Sequence, residues 1–294
     1  MMNKHLDTFL MCAPEYFEVS YIINPWMEGN VARGNRANAQ DQWQALMHAL
    51  QEVAQVECMP SAAGVPDMVF TANGGLVLGD NVILSNFRHV ERKPEEAHFA
   101  AWFAAHGLSV LHMPHALPFE GAGDALLDRG SDLLWFGHGH RSDVACAPLI
   151  SEMLNIEVQS LKLADPRFYH LDTCFCPLQG GYLLYYPDAF DAAAQAHIAA
   201  RVPAQKRFAV SQADALNFGC NAVNSGQHVF LNQVSPALCM QLERWGFNVH
   251  QIALTEFMKA GGAAKCLTLK MNEPQRPKSK HAADGKLAES VPAM

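Results

Sequence analysis

Charge is scarce in this chain. Asp, Glu, Lys and Arg make up 17% of 294 residues, and the net charge is -8. Without a basic stripe, nucleic acid is excluded as a partner. No apolar stretch approaches the length of a membrane span. The N-terminal MMNKHLDTFLMCAPEYF has no long apolar run and no small-residue cleavage site, so no signal peptide is expected. The eight cysteines are scattered, and the one close pair, Cys174 and Cys176, is poorly spaced for zinc. A disulfide framework is therefore excluded, and a reducing cytoplasm is the expected compartment. The stretch 272–294 has no aromatic residue and little apolar content. Its composition predicts a disordered tail.

What is present is a rhythm. Half the residues are hydrophobic, ample for a large core. Paired β-type runs split by turn residues recur at GLVLGDNVILS, ALLDRGSDLLWF and FCPLQGGYLLYY. Each pair is followed by a helical pattern and another strand. Helices are predicted at 38–55, 94–106, 143–155, 188–200 and 235–245, the first with Trp43, Leu46, Met47, Leu50 and Val53 on one face. Strands are predicted, among others, at 68–71 and 266–270. The result is an α/β chain of repeated β-β-α-β units, and units of this size can close into a propeller-like ring. No tract reads as an interdomain linker, so 1–271 is expected to be one domain.

Three short segments carry chemistry: F-E-G-A-G-D at 119–124, Y-H-L-D-T at 169–173 and G-G-A-A-K-C-L-T at 261–268. Taken singly, each has an ordinary reading: a solvated acidic loop, a satisfied core pair and a buried structural cysteine. Together they supply a thiol nucleophile, a histidine for proton transfer and carboxylates to hold a cation, the parts for thiol attack on a cationic carbon. Small residues before Cys266 let backbone and ligand approach closely. If H-x-D lies on a strand, His170 and Asp172 share one face. Cys12, Cys58, Cys146 and Cys239 lie in apolar runs and read as core. P-D-M-V-F-T-A-N at 66–73 forms a further loop, with Phe70 suited to an apolar wall.

These segments resemble the guanidino-group-modifying enzymes, which include arginine deiminases, dimethylarginine dimethylaminohydrolases and amidinotransferases. The likeness covers about 10–271. It implies a five-bladed α/β propeller, the pentein fold, with a central catalytic site and no metal or organic cofactor. It implies Cys266 as nucleophile, His170 as general acid/base and Glu120 as the partner of the histidine or the guanidinium. Asp172 is implied to hold the guanidinium, and Asp67 and Phe70 to bind substrate. Arg88 and Arg141 match positions that hold the substrate carboxylate. Asn73 stands where deiminases and dimethylargininases usually carry an acid, and Asp172 follows a histidine where dimethylargininases usually lack one. With Asn24 in I-I-N-P-W-M and Asp124 in the glycine-rich loop, these departures look most like arginine dihydrolases. The expected partner is a small guanidino substrate.

Overall fold

A computed structural model describes residues 6–273. The alternation seen in sequence becomes five three-stranded sheets. The first sheet begins with β1 (Thr8–Cys12), crosses by helix α1 (Arg36–Gln51) and returns in β2 (Gln55–Met59). The second holds β3 (Gly75–Leu78), β4 (Asn81–Leu84), α2 (Glu95–Ala105) and β5 (Ser109–His112). The third holds β6 (Ala125–Leu127), β7 (Leu133–His138), α3 (Cys146–Leu154) and β8 (Glu157–Lys162). The fourth holds β9 (Phe175–Leu178), β10 (Tyr182–Tyr185), α4 (Ala192–Arg201) and β11 (Arg207–Ala209). After the short α5 (Gln212–Leu216), the fifth holds β12 (Val223–Ser225), β13 (His228–Leu231), α6 (Pro236–Arg244) and β14 (Asn248–Gln251). A one-turn helix α7 (Thr255–Met258) precedes β15 (Leu269–Lys270), which pairs antiparallel with β1.

The pairing follows one rule. Within sheets two to five the first two strands are antiparallel and the third is parallel to the second. A tight turn can join antiparallel neighbours, but a parallel one needs a crossover, which the helix supplies. The first sheet takes its inner strand from the far end of the chain, so β15 closes the ring of five blades. This is the pentein propeller that the family resemblance implied.

Local chemistry sets the helix bounds. Asn35 caps α1 by accepting the Asn38 N–H, and Trp43, Leu46 and Leu50 are buried on its inner face. Pro236 opens α6 behind the Ser235 cap, where a missing N–H costs nothing. Several expectations are corrected. Residues 66–69 and 71–74 are 3-10 turns, not a strand, because the buried loop must turn sharply under the site. The stretch 266–270 is a turn until Leu269. β2 was not foreseen, since its residues are mostly exposed and polar. Cys58, expected in the core, is exposed. Of the predicted tail, the first two residues are packed: Asn272 accepts the Thr8 N–H, and Glu273 pairs with Arg129. The rest of that stretch lies outside the described residues. Among the described residues no helix is long and apolar enough to cross a membrane.

Candidate active site

Polar residues gather where the chain enters the inner strands. 3-10 turns at Thr71–Gly74, Gly121–Gly123 and Leu171–Thr173 lead into β3, β6 and β9. They carry Asn73, Glu120, Asp124, His170 and Asp172 in or beside them, all buried. Four Cα positions lack side chains for packing reasons. A Cβ on Gly123 would sit 2.3 Å from Asn73 Nδ2 and 3.3 Å from His170 Nδ1, so these two groups meet over a glycine. A Cβ on Gly262 would strike the Phe70 ring at 2.6 Å and Cys266 Cβ at 3.0 Å. Gly121 and Gly261 also have positive φ, 57° and 91°, where a side chain is strained.

Cys266 lies in the turn before β15. Its Sγ accepts from Asn221 Nδ2 at 3.1 Å and stands 3.5 Å from Asp172 Oδ2. Asn221 Oδ1 in turn accepts the backbone N–H groups of Ala263 and Cys266, fixing the turn. Burial, then the Asp172 charge, pushes the thiol well above its ordinary value. Burial likewise pushes Asp172 up to about 6 and raises Asp67. A buried acid whose charge is disfavoured regains it when a cation arrives.

His170 Nε2 lies 2.7 Å from Glu120 Oε2, and Arg141 Nη1 donates to the same oxygen at 2.8 Å. Arg141 holds Glu120 well below the usual carboxylate range, although burial opposes it. Burial lowers His170 to about 4, so the ring is neutral at pH 7. With an ionised Glu120 accepting from Nε2–H, Nδ1 is left as a bare base.

A small chamber of about 10 Å³ lies over these groups, lined by Ile23, Asn24, Asp67, Asn73, Arg141 and Cys266 among others. Phe70, Arg92, Tyr169 and Gly262 complete part of its wall. Two buried polar atoms of its lining residues have no partner, Asp67 Oδ1 and Asn73 Nδ2, and neither has His170 Nδ1, which meets Asn73 Nδ2 over Gly123. Buried polar groups are otherwise nearly always paired, so three orphans in one place mark room for a ligand. Asn24 caps the turn Pro25–Met27 and donates to Ala260 O, which seats the loop of Ile23 over the chamber. Phe70 packs edge-on against Phe17 and forms the apolar side.

Other predicted residues are placed elsewhere. Arg88 is exposed, and its Nε donates to Arg141 O, while its backbone N–H meets Glu120. It does not line the chamber; Arg92, four residues on, does. Asp124 binds Ser142 Oγ at 2.6 Å and the Leu171 N–H, bracing two loops rather than facing the chamber. His170 and Asp172 sit at the start of a 3-10 turn, not on a strand. Sequence reasoning missed Arg92, Asn221 and Tyr169. The one available signal for Asn221 was an amide amid apolar residues, in C-N-A-V at 220–223.

Five blades around this chamber place the chain in a class, the penteins that modify guanidino groups. The family described as N,N dimethylarginine dimethylhydrolase, eukaryotic, matches residues 23–272. The chain is 55% identical to the bifunctional arginine dihydrolase/ornithine cyclodeaminase AgrE of Nostoc sp., over 91% of this chain and 38% of that protein. It is 36% identical to the N(G),N(G)-dimethylarginine dimethylaminohydrolase of Mycobacterium tuberculosis, over 90% of this chain and 85% of that one. The substrate-bound N-terminal domain of ArgZ, a cyanobacterial arginine dihydrolase, superposes with a TM-score of 0.91 at 53% identity, covering 92% of this chain and 100% of the domain. This chain belongs to the dimethylarginine dimethylaminohydrolase family of guanidino hydrolases. It spans well under half the length of the bifunctional relatives, 38%.

Proposed function

We propose that this chain is an arginine dihydrolase, converting arginine and two waters to ornithine, carbon dioxide and two ammonia at Cys266. One observation carries the reading: the orphaned Asp67 Oδ1 and Asn73 Nδ2 line one chamber with the Cys266 thiol, and the orphaned His170 Nδ1 meets Asn73 Nδ2 over Gly123. An acceptor, a donor and a base converge where a planar group would present N–H and C–N bonds. The kinship with AgrE and ArgZ, named as arginine dihydrolases, supports it.

In the empty site the thiol keeps its proton, held there by burial and Asp172. A guanidinium supplies the missing positive charge. Asp67 and Asp172 grip its N–H groups, the cation favours their ionised forms, and the cation beside Sγ lowers the thiol pKa. The thiol proton passes to His170 Nδ1, and Cys266 attacks the guanidinium carbon. His170 returns the proton to the departing ammonia, leaving an amidino thioether. Glu120 stabilises the transient imidazolium from the other ring nitrogen. Water, deprotonated by His170, then attacks the same carbon, and the carbon–sulfur bond breaks to give a ureido group, citrulline, still in place.

The second round repeats the cycle on the ureido carbon. Ammonia leaves, a thiocarbamate forms, water releases a carbamate, and the carbamate loses carbon dioxide. Here Asn73 matters. Its NH2 can donate to the ureido oxygen, whereas a carboxylate can only accept. Arg141 and Arg92 place positive charge on the chamber wall near the substrate's carboxylate end. Residues 1–271 are proposed to act as one catalytic unit.

Dimethylarginine hydrolysis is the rival that the matched family description favours. Product analysis separates the two. With arginine, ornithine and about two ammonia per arginine are expected, the stoichiometry of two hydrolyses at one cysteine. Citrulline as sole product makes the chain a deiminase, and faster turnover of dimethylarginine makes it a dimethylargininase.

A further inference from the structure

The orientation of the Asn73 amide is not left to chance, and the group that fixes it is itself held from outside the chamber. Asn73 Oδ1 accepts from Arg92 Nη1 at 2.9 Å. An arginine offers only donors, so the atom facing it must be the amide oxygen. The NH2 is thereby turned the other way, toward His170 across Gly123, where it has no partner.

Arg92 is itself held from several sides. Glu95, fully buried at the first turn of α2, grips it with both oxygens: Nε to Oε1 at 2.8 Å and Nη2 to Oε2 at 2.8 Å. Nη2 also donates to Asp67 O at 3.2 Å, and the guanidinium lies over the Phe87 ring at 4.4 Å. Such a two-armed carboxylate–arginine pair fixes direction as well as distance. Glu95 therefore reaches the chamber through Arg92 and Asn73 without touching substrate.

We propose that Glu95 is a positioning residue that keeps the Asn73 amide in its donor orientation and thereby commits bound citrulline to the second hydrolysis. This rests on the two-round reading given above. If Arg92 is released, the amide is free to turn and offer its oxygen to the chamber. An oxygen there suits the N–H groups of a guanidinium, so the first round survives. It repels the ureido oxygen, so the second round suffers and citrulline escapes. Glu95 thus acts on the choice between two products rather than on the attack itself.

The test uses the full chain with arginine, measuring arginine consumed, citrulline and ornithine. Glu95→Gln keeps the side-chain shape but removes the charge and one acceptor. It is expected to release about tenfold more citrulline per arginine consumed than wild type, on the scale of one lost charged hydrogen bond, with arginine consumption changed less. Adding Asn73→Asp to Glu95→Gln is expected to give no more citrulline than Asn73→Asp alone, because both act on one donor. If Glu95→Gln does not fold, Glu95→Asp, which shortens the arm that grips Arg92, takes its place, and a rise in citrulline is again expected. A merely structural Glu95 would lower consumption and ornithine together and leave the product ratio unchanged, and that result overturns the inference. Citrulline as the wild type's sole product overturns the two-round reading and this inference with it.

Discussion

The two ends of the inner strands treat buried charge in opposite ways. At the entry turns, Asp67 Oδ1, Asn73 Nδ2 and His170 Nδ1 are buried and unpartnered, and burial raises Asp67 and Asp172. Past the exit of β6, Arg129 donates to both oxygens of Glu273, at 2.6 and 2.5 Å, beside a cavity walled by Val77, Leu126, Phe175 and Val223. There the Arg129 guanidinium holds Glu273 down at about 2, although burial opposes it. One end lowers stability to keep groups open for a ligand; the other closes the ring with a satisfied ion pair. Variants at the first end are expected to change rate, and variants at the second to change stability.

The largest effect is expected at Cys266. Cys266→Ser removes the thiolate and is expected to lower turnover by at least about 1000-fold, with folding and arginine binding kept. Steady-state rates and calorimetric binding check this, with Cys12→Ser and Cys58→Ser as controls that retain activity. His170→Ala comes next, expected to lower the rate by roughly 10²–10⁴-fold, the range for a lost general acid/base. Its melting temperature is expected to fall only modestly, since Arg141 still holds Glu120 after the His170 Nε2 contact is lost. A large loss of stability in either variant would erase the contrast between the two ends.

Glu273→Gln probes the other end. It leaves the largely buried Arg129 without its charge partner and is expected to cost about 2 kcal/mol at pH 7, with kcat unchanged. The pH sign follows from a folded pKa of about 2, below that of the unfolded chain. The ion pair contributes fully above about pH 4.3, the unfolded value, and its contribution is lost as pH falls through the folded value. Denaturant titrations of the two proteins are therefore expected to converge in strong acid.

The smallest effect sharpens the contrast most. Asp67→Asn swaps a buried acid of raised pKa for a neutral group of the same shape. Because the folded state binds the Asp67 proton more tightly than the unfolded chain, its ionisation costs stability as pH rises through that range. The variant is expected to be more stable than wild type at pH 7 by up to about 1 kcal/mol, while arginine turnover falls. The stability gain is expected to shrink as pH falls. A destabilised Asp67→Asn would show that Asp67 serves the fold.

Much of this was legible in the chain. The paired strands and crossover helices follow from local patterns of hydrophobic residues and turn residues, which act within a few positions. Two of the three motifs, F-E-G-A-G-D and G-G-A-A-K-C-L-T, carry the glycines that their turns need, and Y-H-L-D-T turns without one. Arg88 was misjudged because two arginines lie four residues apart in S-N-F-R-H-V-E-R, at 85–92, and nothing local says which faces inward. Asp124 was misjudged because its partners, Ser142 and Leu171, belong to other turns. The strand expected at 68–71 reads as β-type by composition, but its flanks are pinned, Asp67 by Tyr21 and Arg92 and Ala72 by Cys266 O, and the chain between them bends.

The sequence by itself determined the repeat of blades, the kinds of reactive group present and the order in which they occur, because these depend on neighbours along the chain. Only the tertiary structure decided which buried atoms are paired and which are left open. Arg141 reaches Glu120 across 21 positions, His170 reaches it across 50, and Cys266 meets Asp172 across 94. A pKa or an orphaned donor is a property of such distant encounters, since burial and partner charges come from whatever the fold brings near.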